Sequence, residues 1–116
     1  MAVAVLAALI GCGPEKTKTV PDELIGTWKT SAAKYADTFI ELTRTTITFG
    51  AGEGGTHVRS VVSVEKVREG GNTLYTVFYV DPEGQEYKLA FYYDPAADGV
   101  MRWRNQQSIA WTRQRR

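Results

Sequence analysis

The chain is poor in the residues that staple or metallate small proteins: its 116 residues include one cysteine and one histidine. A lone thiol has no partner for an internal disulfide, so the fold must rest on an apolar core, which a chain of this length can supply. A metal at His57 would have only carboxylates as further protein ligands, and no His-X-His or His-X-X-X-His pair exists, so no metal or other cofactor is expected. Net charge is also scarce: 14 basic against 13 acidic residues leave +1, which gives nucleic acid no broad basic face. Five of the basic residues, Arg102, Arg104, Arg113, Arg115 and Arg116, sit in an acid-free C-terminal stretch, leaving nine against thirteen elsewhere. That stretch is read as the last strand with a short solvated tail at 114–116. Low-complexity tracts and sustained helical periodicity are missing too. What is abundant favours strands: six Tyr, four Phe and three Trp, together with many Val and Thr. An all-β protein of one domain is expected.

The only long apolar run is residues 2–10, about half of what a spanning helix needs and the right length for the core of a secretory leader. It ends in Leu9-Ile10-Gly11-Cys12, which resembles the lipobox of bacterial lipoproteins. The thiol of Cys12 is the nucleophile that would take a diacylglyceryl group, and the small Gly11 gives a signal peptidase access to the bond before it. The resemblance implies a leader at 1–11, cleavage before Cys12, acylation of Cys12 on sulfur and then on its amino group, and a membrane partner held through that anchor. Two or three acyl chains give anchoring that one does not. No Lys or Arg precedes the apolar run, although secretory leaders begin with a positive segment, so the true start is expected upstream. Gly13 is not the aspartate that holds enterobacterial lipoproteins at the inner membrane, so the resemblance points to the outer membrane. Residues 12–23, polar with Gly and Pro, read as the lipidated cysteine and a flexible tether.

From Leu24 to Arg113, short apolar-patterned runs alternate with turn signals at meander spacing. Eight runs are expected: Ile25–Thr30, Thr38–Thr43, Thr45–Phe49, His57–Arg68, Thr73–Asp81, Gln85–Asp94, Gly99–Asn105 and Ser108–Arg113. The fourth places valines on both parities, which a bulge would reconcile. Asp81-Pro82-Glu83-Gly84 is a tight-turn sequence, and the alanine-rich Ser31–Asp37 connection suits a helical turn. Sequential hairpins suggest a small eight-stranded antiparallel up-and-down barrel, or a barrel-like sandwich, closed to remove its edges. The inward candidates, among them Trp28, Phe39 or Ile40, Phe49, Val62, Phe91, Trp103 and Trp111, are large enough to fill most of the interior.

Gly26-Thr27-Trp28 resembles the Gly-X-Trp at the first strand of lipocalins, and Arg113 stands where that family stacks an arginine over the tryptophan to close the barrel floor. The resemblance implies a structural Trp28–Arg113 pair and a lipocalin-like barrel over Ile25 to Arg113. The Thr-Asp-Tyr motif and the closing helix of lipocalins are absent, and the domain is shorter. A fainter resemblance is to small-barrel lysozyme inhibitors on lipobox leaders, whose Ser-Gly-X-X-Tyr loop and disulfide this chain lacks.

Few constellations could carry chemistry. His57, Ser60 and Asp98 can be assembled on paper into a nucleophilic triad, but no nucleophile motif surrounds them. Gly50-Ala51-Gly52-Glu53-Gly54-Gly55 lacks the Lys-Ser/Thr of a phosphate loop and reads as a loop over one barrel mouth. Glu83 with Glu86, and Glu65 with Glu69, bracket a turn or an exposed strand end. The tyrosines are more informative. Tyr75 and Tyr79 share one parity of the fifth run, and Tyr87 and Tyr93 one parity of the sixth. Facing outward they would form an aromatic binding face for a small apolar ligand, an envelope polymer or a protein partner; otherwise they are cross-strand pairs that stabilise the hairpin. The expected function is a non-enzymatic, membrane-anchored binding module, with a purely structural envelope role as the alternative.

Overall fold

The computed structural model describes residues 14–51 and 55–114. The leader, Cys12, residues 52–54 of the glycine-rich loop, and Arg115 and Arg116 lie outside the described residues. The described chain is nearly all strand: β1 (Glu15–Thr17), β2 (Gly26–Thr30), β3 (Thr38–Leu42), β4 (Thr46–Ala51), β5 (Thr56–Glu69), β6 (Asn72–Val80), β7 (Glu86–Asp94), β8 (Val100–Trp103) and β9 (Gln106–Arg113). From β2 to β9 each strand pairs antiparallel with the next, and β9 returns to β2 through Trp28↔Arg113 and Thr30↔Trp111. The result is a closed eight-stranded up-and-down barrel with β1 as a ninth strand on its flank. Closure leaves the eight barrel strands without a fully open edge.

Each expected run appears within two residues of its strand. One turn is moved. Gln106 pairs with Trp103, so the last hairpin turns on Arg104-Asn105 rather than on Gln106-Gln107. Gly70 and Gly71, both at positive φ, join Glu69 to Asn72 in the two-residue connection that strand twist favours. Asp81–Gly84 closes as a turn, with Gly84 N–H donating to Asp81 O at 2.9 Å.

The bulge in β5 falls between Val61 and Ser63. Val61, opposite Tyr79, and Val64, opposite Val77, therefore both face inward although they are an odd number of residues apart. This corrects one inward assignment: Val62, the extra residue, is 44 % exposed and Val64 takes its place in the core. Phe39 is likewise outside, packed flat over Gly50, and Ile40 is inside.

The segment read as a flexible tether is the larger correction. Glu15–Thr17 pairs with Lys66–Val64 of β5, and Val20 and Leu24 are fully buried. The reason lies in β5, whose 14 residues outrun β4 and leave an unpaired edge that a passing chain can satisfy. Val20 N–H then donates to Arg44 O at 2.9 Å, and Asp22 pairs with Arg44 at 2.9 Å, so the entering chain crosses one barrel end.

Trp28, Trp111, Tyr75, Phe91, Ile40, Leu42, Ile47, Val64, Val77 and Met101 fill the interior. Side chains of this size from facing strands leave the centre of the barrel as packed core.

Candidate functional site

The two ends of the barrel differ in kind. At the end where β2 starts and β9 stops, Arg113 lies over the Trp28 ring, 4.9 Å from its centroid. Its guanidinium donates to Ile25 O at 3.0 Å and to Glu23 O, and Trp28 Nε1 donates to Leu24 O at 3.0 Å. A cation on an indole face is worth about 1 kcal/mol, and the two carbonyls hold the entering chain across the opening. Gly99, at φ 105°, closes the same end: a Cβ there would meet Arg113 Nη2 and Trp28 at 3.1 Å. Structural contacts close this end over the core, and outside them Tyr93, Pro95, Asp98 and Arg113 line a shallow concavity of about 390 Å³.

At the opposite end the 3₁₀ turn Ala33–Tyr35 packs over the β8–β9 side of the opening. Tyr35 packs against Trp103 and Trp111, with centroids 5.9 and 5.6 Å apart, and its hydroxyl bonds Gln106 at 3.1 Å. Beside this turn, among the described residues, Phe49 from β4, His57 and Arg59 from β5, Tyr79 from β6, Asp81 from the following turn and Tyr87 from β7 surround a concavity of about 340 Å³. Strand register brings them together: Phe49 faces His57, and Tyr79 faces both Val61 and Tyr87.

Three rings form a continuous wall. Phe49 and Tyr79 are 5.4 Å apart at a tilt of 50°, and Tyr79 and Tyr87 are 5.8 Å apart at 26°. Burial raises the Tyr79 pKa, so its hydroxyl stays protonated as donor and acceptor. Asp81 is committed to its turn: Oδ1 accepts the N–H groups of Glu83 and Gln85 at 3.0 and 2.9 Å, and Oδ2 accepts the Tyr87 hydroxyl at 3.2 Å. The Gln85 N–H foremost, with the Tyr87 hydroxyl and the Glu83 N–H, holds its carboxyl below the usual aspartate value. The same bond to Asp81 raises the Tyr87 pKa. Asp81 is therefore an ionised acceptor, unsuited to general-acid work. Arg59 donates from Nη1 to Val58 O at 3.1 Å and makes no ion pair among the described residues.

The four tyrosines singled out by parity all point inward, so they form no outer patch. Tyr75 is fully buried and packs on Phe91 and Tyr93, each 5.9 Å away. Tyr93 leans edge-on to Trp28 at 6.4 Å near the sealed end. Tyr79 and Tyr87, the other two, reach the open mouth, where Tyr87 is 42 % exposed. Sequence reasoning missed His57 and Arg59 as mouth residues because their parity is legible only once the bulge is placed. His57 and Asp98 of the imagined triad are far apart in the fold, since Asp98 lies in the turn at the sealed end. Among the described residues no three of His, Cys, Asp and Glu stand close enough to hold a metal ion. Leu9, Ile10, Gly11 and Cys12 lie outside the described residues.

No family model, no curated protein and no solved structure matches the chain.

Proposed function

We propose that this protein is a non-enzymatic binding module of the bacterial envelope, anchored through an acylated Cys12 and binding its ligand at the barrel mouth. One observation carries the binding half: side chains from four strands and a turn bring three aromatic rings and a few polar groups around a concavity of about 340 Å³ at one end, whereas the concavity at the other end is lined by Arg113, which is spent on closing the barrel. Convergence of aromatic walls with a few polar groups on a rigid scaffold is the usual build of a small-ligand site. The Leu9-Ile10-Gly11-Cys12 tetrapeptide supports the anchor and cleavage before Cys12, and Gly13 in place of a retention aspartate supports an outer-membrane address. The non-enzymatic reading rests on the sequence, which carries no nucleophile or metal-binding motif, and on the Asp81 carboxylate being bound into its own turn.

A ligand inside the barrel is the less favoured form of this idea, because Trp28, Trp111, Tyr75 and Phe91 occupy the centre. The same filling favours one alternative, a structural envelope component with no ligand. The two separate in a magnetic-resonance screen of the full chain in detergent micelles against a library of small polar fragments. Binding at the mouth is expected to shift signals of Phe49, His57, Arg59, Tyr79 and Tyr87 together. Fragments that perturb only other regions, or none that bind, would leave the structural role. The anchor is tested separately by the mass of the protein extracted from bacterial membranes, with Cys12→Ala as control. Acyl chains on an N-terminal Cys12 are expected, and an unmodified Cys12 would remove the anchor.

A further inference from the structure

We infer that the mouth binds an uncharged saccharide, with one sugar ring against the Tyr87 side of the aromatic wall; this rests on the mouth being the binding site, as proposed above. The first argument is charge balance. The lining brings one guanidinium, Arg59, one carboxylate, Asp81, and the imidazole of His57. The two formal charges cancel, so neither a strongly anionic nor a strongly cationic ligand meets an excess of counter-charge.

Shape and surface give the second. Phe49, Tyr79 and Tyr87 pack on one another in a row that ends at the exposed Tyr87 ring, and the packed core behind them stops an acyl chain from entering. The C–H face of a pyranose is apolar and slightly electropositive, and it complements the negative face of an aromatic ring. The volume of about 340 Å³ has room for a mono- or disaccharide.

The rim supplies the third. Sugar hydroxyls both donate and accept, so a matching site needs both kinds of partner at its edge. Arg59 has donors beyond the one given to Val58 O, and its planar fork spans two neighbouring hydroxyl oxygens. The Tyr79 hydroxyl, kept protonated, can donate or accept. Asp81 Oδ2 takes the Tyr87 hydroxyl and has a second lone pair to accept from a sugar.

The test titrates the full chain in detergent micelles with a panel of neutral mono- and disaccharides differing in hydroxyl configuration and N-acetylation. Glucuronate and benzoate serve as charged controls. At least one neutral saccharide is expected to shift the Phe49, Tyr79 and Tyr87 ring signals and the Arg59 side chain. For that saccharide, Tyr87→Ala is expected to weaken binding about tenfold, and Tyr87→Phe, which keeps the ring face, to hold affinity within about threefold. Engagement of the mouth by benzoate, glucuronate or library fragments but by no neutral saccharide would overturn the inference and leave the mouth as a binding site. Saccharide shifts confined to other surfaces would overturn it as well. Silence of the mouth toward every probe would overturn both.

Discussion

A methyl group built on Gly50 would lie 2.1 Å from Phe39 Cε2, because Phe39 lies flat across the glycine from the neighbouring strand. The aromatic ring covers backbone that glycine leaves bare, and any side chain must displace it. Gly50→Ala is expected to cost about 2 kcal/mol, read from the urea midpoint, and much less in a Phe39→Ala background, where the clash is gone. Tyr75 presents the opposite case. Its ring is fully buried, and its hydroxyl has no hydrogen-bond partner among the described residues. Tyr75→Phe removes a desolvated polar atom while keeping the packing, so stability should hold or rise by up to about 1 kcal/mol; a clear loss would reveal a partner for the hydroxyl. Asp81 makes a pH prediction. Its folded pKa is lowered, first by the Gln85 N–H, so its stabilising contribution is present above the unfolded carboxylate value and fades as pH falls through the folded one. Asp81→Asn is expected to flatten the acid limb of stability against pH between those two values, measured by urea midpoints across the acid range. The Gly50 and Tyr75 environments were not readable from residue types, because each depends on what lies across the ladder, whereas the bonds of Asp81 are local to a turn that the sequence marks.

Patterning at the level of the strand was far more legible. Alternation with turn chemistry located all eight barrel strands, and Asp81-Pro82-Glu83-Gly84 marked its hairpin, since these signals are local. β1 was not legible for a physical reason: Glu15-Lys16-Thr17 is short and polar, and its pairing is decided by an edge of β5 that sits some fifty residues away. What holds this segment is chiefly apolar. Val20 is fully buried, whereas Lys16–Glu65 is a half-exposed ion pair at 3.5 Å. Val20→Ala is expected to cost about 2 kcal/mol by the cavity it leaves, and Lys16→Ala well under about 1 kcal/mol, both compared in the same denaturant series. Equal losses would mean that the ion pair, rather than the buried valine, fastens the segment.

For the whole molecule, closure made the barrel foreseeable from eight sequential hairpins, but closure alone does not say which end stays open. Among the described residues, that asymmetry comes from unequal cover: Arg113, Gly99 and the entering chain at one end, the turn holding Tyr35 at the other. Removing the cover should therefore act on the two ends differently. Arg113→Ala breaks the Trp28 stack and the bonds to Ile25 O and Glu23 O. It is expected to lower global stability by about 2–3 kcal/mol without altering ligand affinity at the mouth beyond that loss of folded protein. A selective loss of binding with stability intact would place the ligand at the Arg113 end instead.

The direction of β1 has a consequence for where this protein can look. Glu15 lies opposite Lys66 and Thr17 opposite Val64, so the chain arrives from the side of the Gly70-Gly71 turn, which is the plugged pole. Only three residues of chain run from Cys12 to Glu15, a leash of about 10 Å at full stretch. With Cys12 acylated as proposed, so short a leash would keep the flank of the β5–β6 hairpin close to the lipid headgroups. The ring-lined rim lies at the opposite end of the barrel, so on that proposal a ligand would reach it from the aqueous side.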